Sequence, residues 1–169
     1  MSRLPPFDPA TLDAAQKLVH DRIASGARGS VGGPFTVLLQ SPELASRVEQ
    51  LGVFLRYECS VPQRLRELTI LVVGHHWRAD YEWYAHTGIA RSQGLAAESI
   101  TAIGAGLQPT FAQAAEGLVF TFVRELLNSG RVADATYAAA RELLGIKGVV
   151  ELTGLTHLMH GMAGIRWRM

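Results

Sequence analysis

A histidine and two glutamates in the first half of the chain have the residue types and spacing of an acid–base site. Glu82 and His86 are four residues apart, so they share one face of a helix. A carboxylate beside an imidazole can fix its tautomer, as in a general acid or base, although such pairs also occur on solvated surfaces. Glu67 precedes a strongly apolar run. It is therefore a helix-start carboxylate, an ion-pair partner of Arg64 or Arg78, or a carboxylate buried for proton transfer.

Four aromatic residues lie just before Glu82 or between Glu82 and His86 in the sequence. Trp77, Tyr81, Trp83 and Tyr84 all lie within ten residues of His86. Indole and phenol rings supply the apolar walls and hydroxyl groups of small-molecule pockets. They fill cores and subunit interfaces equally well, and the sequence leaves both interpretations open.

The nearby histidines raise the question of a metal. Carboxylate metal sites on helices usually place Glu and His three residues apart, whereas Glu82 and His86 are four apart. Adjacent side chains such as those of His75 and His76 point about 100° apart on a helix, so that both cannot easily face one ion. No HExxH motif is present. We predict no metal and no other cofactor.

Prolines, glycines and capping residues divide the chain into seven or eight predicted helices, and no segment alternates as a strand does. We expect one all-α domain over residues 1–169, an orthogonal helical bundle with an extended N-terminal arm at 1–9. The expected helices run from Asp8-Pro9 to about Ser25, from Ser41-Pro42 to about Tyr57, from Val61-Pro62 towards Trp77, from Tyr81 (capped by Asp80) to about Ser92, and over about 96–105, 111–128, 134–144 and 147–165. The apolar stripe expected on the second of them consists of Leu44, Val48, Leu51 and Leu55.

Composition narrows the classes of partner. The 169 residues carry a formal net charge of +1, which gives no electrostatic reason to expect nucleic acid or an anionic membrane. No stretch approaches the roughly 20 apolar residues of a membrane span, and the N-terminus has no apolar signal core. Cys59 is the only cysteine, so no intrachain disulfide can form. We expect a cytoplasmic protein that acts on a small molecule.

The spacing around His86 resembles the signature of the carboxymuconolactone decarboxylase / alkylhydroperoxidase D superfamily. That signature is a glutamate, a CxxC motif that begins twelve residues later, and a histidine four residues after the second cysteine. Glu67 and His86 occupy the glutamate and histidine positions, whereas Ala79 and Glu82 replace the two cysteines. The form RADYEWYAH is similar to the thiol-free branch of the superfamily.

This resemblance covers most of the chain, about residues 30–165, and is most specific over 62–94. It implies a fold like that of alkylhydroperoxidase D. Peroxide reduction in the family needs one thiolate to attack and a second thiol to resolve the disulfide. Cys59 lies outside the motif and has no resolving partner in its own chain. We therefore expect no dithiol peroxidase activity.

The decarboxylase branch acts without cysteines or cofactors, as a lyase in aromatic-acid degradation, on a small carboxylated lactone. The resemblance implies that His86 is the general acid or base, that Glu82 orients it or acts itself, and that Glu67 is a second carboxylate. Tyr81 would donate a hydrogen bond to an enolate, and Arg78 would bind the anionic substrate. The remaining residues that we predict to bind substrate are Trp77, Trp83 and His75.

A second hypothesis is a non-catalytic relative of the same fold that binds a small molecule or serves a structural role. Both hypotheses include a homo-oligomer, because members of the superfamily form trimers and hexamers. The apolar fraction of 48% agrees with a buried subunit interface.

Overall fold

The computed structural model describes residues 7–165, and over this range the chain is helical, as predicted. It forms eight α-helices and no strand within the described residues. The helices are α1 (Ala14–Ser25), α2 (Pro34–Leu38), α3 (Pro42–Val53), α4 (Gln63–His76), α5 (Asp80–Ser92), α6 (Ala97–Gly104), α7 (Ala114–Ser129) and α8 (Asp134–Gly164). A 3-10 turn at Pro9–Thr11 precedes α1, and a π-helical turn at Phe54–Glu58 extends α3.

The first helix begins later than its predicted start at Asp8-Pro9. Asp8 caps only the 3-10 turn. Asp13 caps α1, because its side chain accepts from the backbone N–H of Gln16 while the Gln16 side chain accepts from the N–H of Asp13. Leu12 has an extended backbone that ends the turn, and the reciprocal capping box at Asp13 then satisfies two backbone donors at the start of α1. Of the predicted extended arm, residues 1–6 lie outside the described range, and Pro9 belongs to the turn.

The described chain divides into two compact units, and the first consists of residues 7–54 with Ile165. Within it, α1 and α2 pack against α3. Of the apolar stripe expected on this helix, Leu44 and Leu51 are 50% and 48% exposed, whereas Leu55 is buried. The buried face carries Ala45 and Glu49 instead, and Glu49 lies 3.6 Å from the Arg22 guanidinium of α1.

The second unit, residues 55–164, contains the predicted chemistry. Its central helix is α4, which packs against α5, α6, α7 and α8. Residues 65–74 of α4 are all buried. A helix surrounded on every side has no solvent face to keep polar, which explains the apolar run of its sequence.

The last two predicted helices, 134–144 and 147–165, form the single element α8 with a break at Gly145. The backbone of Gly145 has φ 70° and ψ 172°, a region open almost exclusively to glycine. The sequence therefore located the break correctly.

Within residues 7–165, no helix combines the length and the apolar character that crossing a membrane requires.

Candidate acid–base site

The structure brings Glu67, Glu82 and His86 together inside the second unit. Nδ1 of His86 lies 2.7 Å from a carboxylate oxygen of Glu67, and Nε2 lies 3.5 Å from a carboxylate oxygen of Glu82. The three residues are 3%, 6% and 3% exposed, respectively. The imidazole ring thus has a buried carboxylate at each of its two nitrogens. We call this group the Glu67–His86–Glu82 cluster.

The two contacts differ in kind. The 2.7 Å contact has hydrogen-bond length, and when Glu67 is ionised its carboxylate can only accept, so that Nδ1–H of His86 is then the donor. The contact of 3.5 Å to Glu82 is at the limit of hydrogen-bond distance. Glu67, from the neighbouring helix, therefore holds the ring, and Nε2 remains next to a second carboxylate with which it can exchange a proton. The resemblance had implied that Glu82 orients His86 or acts itself, whereas the shorter contact is with Glu67.

A tight turn between α4 and α5 connects the two helices of the cluster. The N–H of Arg78 donates to the carbonyl of His75, and the N–H of Ala79 donates to the carbonyl of Gly74. This is the Schellman pattern, which normally places glycine where Arg78 lies. Asp80 is the first residue of α5 and not its cap, since the N-cap position is Ala79.

Arg78 has a left-handed backbone conformation at this turn. Its φ of 50° makes it the only non-glycine residue with positive φ among residues 7–165. Such a left-handed conformation costs roughly 1–2 kcal/mol for a residue with a Cβ atom. Strained residues concentrate at functional sites, so that this conformation is consistent with a role for the Arg78 side chain.

We expect Arg78→Gly to raise the free energy of unfolding by about 0.5–1 kcal/mol, because relief of the strain exceeds the added chain entropy of glycine. Urea denaturation measures the change. Arg91→Gly, the same substitution at an exposed position of α5, is the control and should lower stability by about 0.5–1 kcal/mol. Equal destabilisation by both substitutions would show that Arg78 is not strained.

The three aromatic residues predicted to bind substrate have different surroundings. Trp77 packs edge-on against His76 and His160, with ring centroids 5.1 and 4.7 Å away. Trp83 meets His75 edge-on at 6.4 Å and is partly buried against the core. Tyr81 is 48% exposed. The two indoles therefore make packing contacts, which was the alternative interpretation of these residues.

Trp83 also lies against the backbone of α6. A Cβ atom at Gly104 would lie 2.8 Å from Cζ2 of the Trp83 indole, a distance too short for any real contact. We expect Gly104→Ala to displace the ring and to lower the free energy of unfolding by about 1–3 kcal/mol. Urea denaturation followed by tryptophan fluorescence measures this loss. Gly88→Ala, on the exposed side of α5 with open space around its Cβ, should instead stabilise by about 0.5–1 kcal/mol.

A pocket of about 420 Å³ lies beside the C-terminal end of α4. Its polar lining residues are His75, His76, Arg78, Arg124 and Asn128. Two of the residues predicted to bind substrate, His75 and Arg78, therefore line it. Trp77, Tyr81, Trp83 and the Glu67–His86–Glu82 cluster are not among its lining residues.

Sequence reasoning missed the contribution of α7 to this pocket. The guanidinium of Arg124 lies 5.4 Å from the centroid of the Phe120 ring, and both residues line the pocket. Their four-residue spacing places them on one helical face, which was the available signal. Nothing local indicated that this face meets α4, more than 40 residues earlier in the sequence.

Arg64 forms an ion pair with Glu116 of α7, in the same unit. Its Nε donates to the Glu116 carboxylate, which is 0% exposed. The other oxygen of Glu116 accepts from the N–H of Gln113 at 3.2 Å and so completes the cap of α7. The pair joins α4 to α7, and Glu67 pairs with His86.

Two further observations bear on the chemistry of this unit. Cys59 is 8% exposed, and its thiol donates to the carbonyl of Leu55 at 3.1 Å. Among residues 7–165, no three or more His, Cys, Asp or Glu side chains are grouped as metal ligands.

Comparison of the chain with protein-family models, with curated proteins and with solved structures found no match.

Proposed function

We propose that this protein is an acid–base enzyme that acts without a cofactor on a small carboxylated lactone or carbonyl compound, by decarboxylation or isomerisation. The single observation that carries the proposal is the position of His86 between two buried carboxylates, 2.7 and 3.5 Å from its two ring nitrogens. Buried carboxylates are costly unless they are paired, and a base oriented by a third group is the usual arrangement of acid–base sites.

In this proposal Glu67 orients His86 through Nδ1, and Nε2 is the nitrogen that exchanges protons with substrate. In an isomerisation, Nε2 removes a proton from the carbon next to a carbonyl and returns it at another carbon. In a decarboxylation, the bond to the carboxylate breaks, the electron pair remains on the substrate as an enolate, and Nε2–H delivers the proton. Glu82 receives or returns the proton between turnovers, and Tyr81 and Arg78 bind the substrate.

The motif from Glu67 to His86 supports membership of the thiol-free branch of the carboxymuconolactone decarboxylase / alkylhydroperoxidase D superfamily. In the same proposal the protein has no dithiol peroxidase activity, since Ala79 and Glu82 occupy the cysteine positions and the thiol of Cys59 is buried.

A non-catalytic, ligand-binding relative is the second candidate. Two observations favour it: the members of the cluster are at most 6% exposed, and the pocket of about 420 Å³ is lined by other residues. In this case the cluster would be a structural hydrogen-bond network of the α4–α5 pair.

In either case we propose a homo-oligomer. Leu44 and Leu51 are about half exposed and lie seven residues, or two helical turns, apart on α3. An exposed apolar stripe of this kind is typical of protein–protein contacts. Light scattering after size-exclusion chromatography should give a mass above one chain, and Leu44→Glu should reduce it.

The enzyme proposal is tested on a panel of small carboxylated lactones and keto acids, in EDTA and without added cofactor. Carbon dioxide release reports decarboxylation, and ultraviolet absorbance reports isomerisation. Glu67→Gln keeps the shape of the side chain but removes its charge, and should lower turnover by about 10²–10⁴-fold. Glu98→Gln, at an exposed carboxylate of α6, should leave turnover unchanged. If no compound is turned over, the second candidate replaces the first.

A further inference from the structure

The pocket beside the end of α4 has apolar side chains at its floor and basic side chains at its rim. Val72, Ile103 and Phe120 are 4%, 2% and 4% exposed and form the floor. Arg78, Arg124 and Asn128 are exposed lining residues. Arg78 follows the end of α4, whereas Arg124 and Asn128 lie one and two turns after Phe120 on α7. A molecule that fits both zones has an apolar body and a polar group that faces the rim.

The charge of the rim selects the sign of that polar group. Arg78 and Arg124 carry permanent positive charges, and none of the lining residues, all within 72–128, is acidic. The lining histidine His76 adds little charge at neutral pH, because burial and the nearby His160 and His75 lower its pKa. Arg78 and Arg124 are therefore the permanently charged groups of the lining, and guanidinium is the side-chain group best suited to oxyanions.

The known contacts of the Arg124 guanidinium are with uncharged side chains. It stacks over Phe120 at 5.4 Å, and its other contact is to the Gln108 amide oxygen at 3.5 Å. No carboxylate within residues 7–165 forms an ion pair with it. The Arg124 guanidinium therefore lies next to the apolar floor, because Phe120 is part of that floor.

We propose that this pocket is a binding site for a small organic oxyanion with a ring-sized apolar body, separate from the Glu67–His86–Glu82 cluster. Its volume of about 420 Å³ lies within the usual range of ligand pockets. The apolar body lies on the floor, and a carboxylate or phosphate group binds Arg124 and Arg78 at the rim. None of its lining residues belongs to the cluster, and Arg78 is the residue that it shares with the proposed substrate-binding groups.

Isothermal titration calorimetry with phenyl phosphate, benzoate and neutral benzyl alcohol tests this site. We expect saturable binding of at least one anion, at least about tenfold tighter than that of benzyl alcohol, since charge-assisted hydrogen bonds are lost without the oxyanion. The tighter of the two anions identifies the ligand as a phosphate or as a carboxylate. The absence of saturable anion binding, or equal binding of benzyl alcohol, would overturn the proposal.

Variants of the same protein locate the bound anion. Arg124→Gln should weaken anion binding at least about tenfold, and so should Leu107→Glu, which adds a negative charge at an exposed lining position. Arg91→Gln removes one charge from an arginine outside the lining and should leave the affinity unchanged. Folded His86→Gln protein should bind as the wild type does. Unchanged affinity in both pocket variants, or loss of binding in His86→Gln, would place the anion elsewhere and overturn the proposal.

Discussion

His86→Gln should lower turnover of a responsive carboxylated lactone or keto acid by about 10²–10⁴-fold, the usual contribution of one general acid or base. Glutamine retains a hydrogen-bond donor between the two buried carboxylates but has no group that exchanges protons near neutral pH. We prefer it to alanine, because His86→Ala would remove the hydrogen-bond partner of the buried Glu67 carboxylate. Steady-state kinetics on folded protein, checked by circular dichroism, measure the effect.

The matched control for this variant is His157→Gln. His157 is exposed on α8, and its contact is with the carbonyl of Thr153 in its own helix. The control should retain full turnover. Equal turnover in the two variants would remove His86 from the mechanism, whereas a loss in both would show that the assay reports stability and not catalysis.

Arg64→Leu should lower the free energy of unfolding by about 3 kcal/mol, the largest effect on stability that we expect. The substitution leaves the Glu116 carboxylate fully buried without its cation, and an uncompensated buried charge costs about 3–5 kcal/mol. The Arg64 side chain is 22% exposed, which allows some water to reach the carboxylate and places the estimate at the lower end. Urea denaturation at neutral pH measures the loss.

Two further variants separate the buried charge from lost packing. The double variant Arg64→Leu with Glu116→Gln removes the buried charge and should recover a large part of the loss. Arg47→Leu breaks the exposed pair of Arg47 with Glu43 on α3 and should change stability little. An Arg64→Leu protein as stable as Arg47→Leu would contradict the interpretation of the Glu116 pair.

Local sequence patterns predicted the helices but not which faces they bury. The all-α class and the break at Gly145 follow from short-range signals, namely helical periodicity and glycine positions. The buried face of α3 does not, because Glu49 is buried through its ion pair with Arg22 on another helix. Leu44 and Leu51, both in the expected apolar stripe, are about half exposed. Helix α2, only five residues long, was too short to show a period.

Local sequence patterns likewise predicted only part of the candidate site. Helical spacing alone brings Glu82 within reach of His86. The shorter contact, from Glu67, joins residues 19 positions apart on two helices, and no spacing rule predicts its 2.7 Å distance. The family motif did single out Glu67, so that resemblance supplied what periodicity could not. Neither source pointed to Arg124, whose place in the pocket depends on how α7 packs against α4.

The most direct test of acid–base catalysis at His86 is the exchange of a substrate carbon-bound proton with solvent. The panel of carboxylated lactones and keto acids is incubated in D2O with the wild-type protein or with folded His86→Gln protein, and proton NMR follows deuterium incorporation next to the carbonyl. We predict incorporation above background with the wild-type protein for at least one compound, and background incorporation with the variant. Equal incorporation with both proteins, or none above background with any compound, would contradict the proposal that His86 transfers protons.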